Sequence, residues 1–401
     1  MLTLFCTGLI GLAPPAQGPV LGDLTPTTVT IWMRDASPGT SRIDLYDTSG
    51  TQVRQSSAQS LASTDNTVTV QLTNLEPDTR YAYVIDGAHQ ADWYFHTPPR
   101  NSSQATIAFG SCAKEAEGSG RVWNRINALD PDALVLLGDT PYIDTTELKT
   151  QRRRYREFAA FPPFAKLAAH IPVYATWDDH DFGRNDTDGR LEGKENSRRA
   201  FIEYRPNPTA GEDGKGIYTS FRQGPMEVFL LDTRWFARTE GEGLNWTLLG
   251  KQQWAWLERS LKASDAPFKV LACGMVFNGS VRHGKHDCWG VYASEYVRLR
   301  TLIDGIPGVV LVSGDVHWSR ELEHNDTDDW LLVEFVTSPV HEHLIAAANP
   351  DHPWVRWSRG EVNTFLVLDA GPTTLRASFM NADGELLHSR VLALPPTDSA
   401  D

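Results

Sequence analysis

Asp139 and Tyr142 lie three residues apart in Gly138-Asp139-Thr140-Pro141-Tyr142, and the run Asp132-Ala133-Leu134-Val135-Leu136 before them is almost wholly apolar. Such a run reads as a buried strand, and the glycine permits the sharp turn that lets a carboxylate and a phenol converge. An oxygen pair there suits a hard cation. The same residues also fit an Asp-Pro turn with a packed tyrosine, so this pattern alone leaves both readings open. A second apolar run, Ile171-Pro172-Val173-Tyr174-Ala175-Thr176, delivers Trp177-Asp178-Asp179-His180-Asp181-Phe182, which crowds three carboxylates around one imidazole. Unless it is a solvated acidic turn, that cluster needs a cation or strong donors, because packed carboxylates repel and raise one another's pKa. A third run, Gly308-Val309-Val310-Leu311-Val312, leads into Ser313-Gly314-Asp315-Val316-His317-Trp318. Asp315 and His317 have period-two spacing and share a side if the strand continues, as ligands of a common metal or as a mutually satisfied structural pair. A fourth, Thr106-Ile107-Ala108-Phe109, ends in Gly110-Ser111-Cys112. Cys112 is either a small buried hydrophobe or a soft ligand, and Ser111 has no partnered His and Asp, which leaves it a strand-end hydrogen bond.

These residues need a scaffold that brings strand ends together, which open α/β sheets provide at their C-terminal edge. From Thr106 onward apolar strands alternate with helical patterns such as Gln252 to Ala263 and Tyr296 to Ile303. The chain then returns to strands at Thr364 to Leu368, Thr374 to Met380 and Leu386 to Leu392, with Ala382-Asp383-Gly384 as a hairpin turn. The first hundred residues follow another pattern. Short alternating or β-branched runs at Thr28 to Arg34, Arg42 to Asp47, Thr67 to Leu72, Arg80 to Ile85 and Asp92 to His96 are separated by turn residues, as in a small β-sandwich. At 401 residues the chain exceeds the usual limit of a single core, so two domains are expected.

Taken in order, Gly-Ser-Cys at 110 to 112, Gly-Asp-x-x-Tyr at 138 to 142, Trp-Asp-Asp-His-Asp-Phe at 177 to 182 and Ser-Gly-Asp-Val-His at 313 to 317 resemble the signature of PhoD-like alkaline phosphatases. Gly18 to Asp23, Trp32 to Arg34, Leu231-Asp232-Thr233-Arg234 and Leu249 to Leu257 carry the resemblance over nearly the whole chain. It implies an α/β class with a four-layer α/β/β/α metallophosphoesterase core, a small N-terminal β-sandwich of the immunoglobulin or fibronectin type, and a multinuclear metal site. The expected divisions are a signal segment at 1–17, the sandwich at 18–98, a linker at 99–105, the catalytic domain at 106–394 and a tail at 395–401. Carried over residue by residue, Asp139 would bridge two metals. Cys112, Tyr142 and His317 would complete a ferric site, and Asp179 and Asp315 would face a second metal. Asp179 stands where the broader superfamily has an asparagine and Asp315 where it has a histidine. Exchange of nitrogen for carboxylate oxygen shifts preference towards calcium, magnesium or manganese and away from zinc, and the resemblance implies a centre of ferric iron and calcium, with manganese, magnesium or zinc as substitutes. The superfamily's remaining histidine has no evident counterpart; His283 and His286 are the candidates, set against a solvated loop. The implied activity is hydrolysis of small-molecule or polymer phosphate esters by metal-activated water. His180 would protonate the leaving oxygen, Asp178 and Asp181 would orient it, and Asn185 and Arg184 would touch phosphate.

The net charge of -14 disfavours broad binding to nucleic acid or anionic membranes, although a cationic centre still attracts phosphate locally. The one basic stretch, Lys149 to Arg156, reads as the solvated face of a helix starting near Thr146, with guidance of anionic substrates as the alternative. Leu2 to Ala16 is apolar but too short to span a bilayer and lacks a preceding basic residue; with the resemblance it points to an exported, periplasmic or secreted monomer. Among the four cysteines, Cys273 and Cys288 are either paired outside the cytoplasm or free. Segments 185–215 and 340–360 are expected to shape the entrance, and with it the choice of monoester or diester. The competing functions are a metal- or phosphate-binding protein without turnover, a phospholipid-specific phosphodiesterase, and a purely structural protein. The last leaves the carboxylate cluster unexplained.

Overall fold

The computed structural model describes residues 14–240, 246–279, 287–324, 331–348, 352–360 and 362–396. Its N-terminal part has two antiparallel sheets. One runs β1 (Gln17–Gly22), β2 (Thr28–Arg34), β5 (Thr67–Thr73); the other runs β4 (Gln52–Ser60), β3 (Gly39–Tyr46), β6 (Thr79–Ile85), β7 (Tyr94–Thr97). Alternate residues of each sheet turn inward: Val29, Ile31 and Met33 meet Ile43, Leu45, Tyr83 and Phe95 in one core. The edge strand β4 is polar and mostly exposed, so it carries no hydrophobic alternation for a sequence reader to find.

The rest of the chain builds two larger sheets. A six-stranded sheet has the order β10 (Val173–Thr176), β9 (Ala133–Leu137), β8 (Ala105–Gly110), β18 (Thr364–Ala370), β19 (Thr374–Asn381), β20 (Leu386–Ala393). A seven-stranded sheet has the order β11 (Thr219–Gln223), β12 (Met226–Leu230), β13 (Phe268–Ala272), β14 (Val309–Ser313), β16 (Val333–Val336), β15 (Ser319–Glu323), β17 (Val355–Arg359). Strands β8, β9 and β10 are mutually parallel, as are β12, β13, β14 and β16. Strands of this kind are covered on both faces, which accounts for their unbroken apolar runs. In β9, Ala133, Val135 and Leu137 face the other large sheet and pack with Val270, Val310 and Val312. Leu134 and Leu136 face the opposite way, against helices α1 (Glu117–Leu129), α2 (Leu148–Ala159), α3 (Pro162–Ala168) and α5 (Lys194–Tyr204). On the far side of the second sheet, Leu271, Val309 and Leu311 pack on α6 (Gly250–Ala263) and α7 (Ala293–Ile303). The layers therefore run helices, sheet, sheet, helices.

The N-terminal sheets are fastened to this body. Val20 and Trp32 belong to the same core as α2 and α5, Trp32 Nε1 donates to the Glu203 carbonyl at 2.7 Å, and the Tyr83 hydroxyl donates to the Ala169 carbonyl at 2.5 Å. Part of the basic stretch belongs to this junction: Lys149 and Arg153 keep an exposed, solvated side of α2, as expected, while Arg152 and Arg156 turn to the N-terminal part. Arg156 pairs with Asp65 at 2.6 Å and Arg152 reaches both oxygens of Glu203 and the Ser63 carbonyl. Cys273 and Cys288 are buried free thiols. Among the described residues, no helix is long and apolar enough to cross a membrane.

Candidate metal centre

The four strand ends singled out in the sequence meet. Strands β8, β9 and β10 are neighbours, and the loop after β14 of the second sheet comes to them: Cys112 Sγ lies 3.5 Å from Asp139 Oδ2 and 3.7 Å from the Asp315 carbonyl oxygen. Close approach is built into the glycines. Gly138 has φ +96°, and a Cβ there would sit 2.4 Å from the Asp178 nitrogen; a Cβ at Gly314 would sit 2.6 Å from Ser111 Oγ. Cys112, Asp139, Asp315 and His317 all adopt the left-handed region, with φ of 55°, 54°, 63° and 56°. Each such residue costs on the order of 1 kcal/mol, and the concentration of them here marks a site that over-determines its own geometry. Ser111 Oγ donates to the Thr337 carbonyl at 2.8 Å, the strand-end role expected of it.

Donor atoms within 4.8 Å of one another form four groups: Cys112, Asp139 and His317; Asp139, Asp179 and His180; Asp178, Asp179 and Asp315; Asp179, Asp186 and Asp287. Asp139 belongs to two of them. Tyr142 joins the first, its hydroxyl 3.1 Å from His317 Nε2. His317 Nδ1 lies 2.7 Å from the His343 carbonyl, which only accepts, so the hydrogen is on Nδ1 and the Nε2 lone pair faces the cluster. Burial pushes the Cys112 thiol well above its ordinary pKa, and neighbouring Asp139 adds to the rise. Burial does the same to the Tyr142 phenol, with further contributions from Cys112 and Asp139. Burial lowers His317.

The carboxylates carry heavier stress. Asp139, Asp178, Asp179 and Asp181 are almost completely buried. Burial, then repulsion from Asp179, Asp178 and Asp181, lifts Asp139 well above the carboxylate range. Asp178 is lifted by burial despite Arg234, which donates from Nε to its Oδ1 at 2.7 Å and reaches both oxygens of Asp287 at 2.8 and 2.7 Å. The other oxygen of Asp178, Oδ2, is buried and, among the described residues, has no hydrogen-bond partner. A buried carboxylate oxygen left bare beside Asp179 and Asp315 fits a hard dication, as does the thiol, phenol and imidazole set for a softer, more acidic ion. Burial lifts Asp181 to about 7.

A cavity of about 330 Å³ opens onto these groups, lined by Lys114, Asp139, Tyr142, Asp144, His180, Asn185, Asp315, Val316, His317, Glu342, His343, Ile345 and Ala348. Asn185 is at its wall, whereas Arg184 is exposed and outside the lining. His180 is oriented by Asp144, with Nδ1 to Oδ1 at 2.5 Å. This corrects the expectation that Asp178 and Asp181 do so: Asp178 is held by Arg234, and Asp181 accepts the Asp178 amide at 2.6 Å. Of the two segments expected at the entrance, 340–360 supplies Glu342, His343, Ile345 and Ala348, while 185–215 supplies only Asn185. His283 and His286 lie outside the described residues.

The family model for PhoD-like phosphatases matches residues 107–364, more than half of the chain, and spans every strand end of the centre. The chain belongs to the PhoD-like phosphatase family. It is 26% identical over 333 residues to alkaline phosphatase D of Bacillus subtilis strain 168, an alignment that takes in 67% of this chain and 57% of that protein. The chain therefore spans little more than half the length of that curated relative. Its fold is similar to the solved structure of PhoD, with a TM-score of 0.80 at 20% identity over 96% of this chain and 90% of the other. It is also similar to the purple acid phosphatase PPD1 from yellow lupin seeds, with a TM-score of 0.69 at 13% identity over 94% and 74%.

Several residues of this PhoD-like centre escaped the sequence reading. Asp144 is 36 positions from His180 in the chain, and Asp287 is 53 from Arg234. Lys114 pairs with Glu342 at 2.5 Å. Burial would raise Glu342, but Lys114 and the His343 amide outweigh it and hold its pKa at about 2. In the sequence the Leu231-Asp232-Thr233-Arg234 segment stands out only by its resemblance. Its physical role is now plain: Asp232 accepts from Trp177 Nε1 and from the Arg234 and Trp235 amides, and so fixes the turn that aims Arg234.

Proposed function

We propose that this protein hydrolyses phosphate esters at a two-metal centre bridged by Asp139, with His180 as the proton donor. The observation that supports this most strongly is the single cavity lined at once by Asp139, Tyr142, Asp315 and His317 and by the Asp144-backed imidazole of His180. Cys112, Asp139, Tyr142 and His317 would hold ferric iron, which thiolate and phenolate favour. Asp139, Asp179 and Asp315, together with the bare oxygen of Asp178, would hold calcium, with manganese, magnesium or zinc as substitutes in this all-oxygen set. When bound, such a pair lowers the pKa of water and neutralises charge on the phosphoryl oxygens. With Nδ1 of His180 engaged by Asp144, Nε2 is the nitrogen left to hand a proton to the leaving oxygen, and the Asp144 carboxylate holds the ring in that orientation. Asn185 would donate to phosphate from the cavity wall, and Arg184 would act only at range. The paired N-terminal sheets would form an immunoglobulin- or fibronectin-like sandwich over 18–98 that lends structure rather than chemistry. The likeness to alkaline phosphatase D supports phosphate esters, small or polymeric, as substrates, and in this reading the enzyme would be exported and act as a monomer.

The test is turnover of a chromogenic monoester and a chromogenic diester by the metal-loaded protein. Asp139→Asn should abolish it, and His180→Ala should lower it by about 10²- to 10⁴-fold with a poor leaving group. Unchanged turnover in both variants would refute the reading.

A further inference from the structure

We propose that Arg154, on helix α2, whose opposite side is locked through Arg156 and Arg152 by Asp65 and Glu203, is a positioning residue that sets Tyr142 and Cys112 relative to one another. This rests on the reading of both as metal ligands. The turn from Gly138 to Tyr142 presents its side chains inward, so its carbonyls need partners on the outside. The Gly138 and Asp139 carbonyls accept from the Cys112 and Ala113 amides at 3.2 and 3.1 Å. The second half of the turn depends on side chains. The buried Arg205, packed against the rings of Tyr155 and Phe158, donates to the Thr140 carbonyl, and Arg154 Nε donates to the Tyr142 carbonyl at 2.9 Å.

The rest of the Arg154 fork points elsewhere. Nη2 binds Glu115 Oε2 at 2.8 Å and Nη1 binds Glu157. Glu115 is three residues beyond Cys112, so one guanidinium joins the segment bearing the thiol to the segment bearing the phenol. The helix beneath it has little freedom to slide. Arg156 pairs with Asp65 in the turn between β4 and β5 of the N-terminal part, Arg152 grips Glu203 through two bonds, and Gln151 Nε2 donates to the Thr145 and Asp181 carbonyls at 2.8 and 3.0 Å. The N-terminal sheets thus reach the metal centre mechanically although, among the described residues, none of their side chains lines the cavity. Magnitudes favour a positional role over a stabilising one. A partly exposed ion pair contributes little to stability, whereas a misplacement of about 1 Å near reacting groups costs roughly 10²-fold in rate.

The experiment compares full-length wild type with Arg154→Met. Arg153→Met is the control, since among the described residues Arg153 pairs only with Glu157, on the exposed side of the helix. In metal-free protein, amide hydrogen exchange at Ile143 and Asp144, which donate to the His180 carbonyl, should accelerate at least about tenfold in Arg154→Met and not in the control, at similar melting temperatures. In iron-loaded protein the ferric-tyrosinate band should shift, and kcat should fall by about 10²-fold while KM stays within about threefold. If Arg154→Met does not fold, Glu115→Gln, which cuts the other end of the clamp, should show the same exchange change at about threefold. Unchanged exchange overturns the inference. A wild-type protein that takes up iron without a visible band counts against the ligand reading of Tyr142, and the exchange result then decides the clamp by itself.

Discussion

Around Cys112, Tyr142 and His317 the chain gathers donors that are neutral without a metal, while around Asp178, Asp179, Asp315 and Asp287 it gathers carboxylates, and the two regions are held together by different means. The first is tied by neutral hydrogen bonds: the Ser338 hydroxyl lies 3.2 Å from Cys112 Sγ, the His343 carbonyl takes the His317 proton, and Tyr142 Oη meets His317 Nε2. The second is tied by one buried cation, Arg234, set between Asp178 and Asp287. Asp139 belongs to both regions. The contrast indicates that the thiol-phenol side is preformed and must lose protons to bind its ion, whereas the carboxylate side is charge-strained and is relieved by its ion.

The largest expected effect breaks the second region. Arg234→Met leaves Asp178 and Asp287 buried without their cation and should cost about 3 to 5 kcal/mol in chemical denaturation of metal-free protein, with partial recovery on adding calcium. A loss below about 1 kcal/mol would mean the carboxylates are not under the strain described. A milder change sharpens the comparison. Asp315→Asn takes one carboxylate from the set and should weaken binding of a hard dication by about tenfold or more while leaving the thiol-phenol side intact. Unchanged dication affinity in a titration of metal-free protein would contradict it. The smallest effect lies at the cavity mouth. Asp144→Asn disturbs a pair whose carboxylate is 58% exposed, so turnover of an ester with a poor leaving group should fall only about fivefold, in proportion to an exposed ion pair of ~1 kcal/mol. An ester with a good leaving group should be hardly affected; equal losses on both would argue that Asp144 serves binding rather than the imidazole.

The strand ends were legible because buried parallel strands write themselves as apolar runs; β8, β9 and β14 stop at a glycine beside a potential ligand, and β10 runs straight into the Asp178-Asp179-His180 cluster. Leu134 and Leu136 against Ala133 and Val135 show why the run cannot alternate: both faces are covered. What the chain did not disclose has two causes. Edge strand β4 is exposed on most positions and so lacks a hydrophobic period, and α1 opens on Glu117-Gly118-Ser119-Gly120, residues that disguise a first turn. The partners of the site come from far along the chain: Asp144 for His180, Asp287 for Arg234, the His343 carbonyl for His317. No local spacing encodes these. The acidic neighbours of His180 looked like its orienting group because they were adjacent in sequence, whereas the turn into α4 (Asp179–Phe182) points them at Arg234 and at their own backbone. The basic run of α2 is solvated at Lys149 and Arg153 as read, but the partners of Arg156 and Arg152, Asp65 and Glu203, lie 91 and 51 residues away and leave no local sign.

The central claim is that Asp139 joins two unlike sites, and elemental analysis of the purified protein after dialysis tests it most directly. The account predicts about one iron and about one calcium per chain in the wild type, and loss of both in Asp139→Asn, because each site is missing its shared ligand. Full retention of either metal by Asp139→Asn would contradict the bridge.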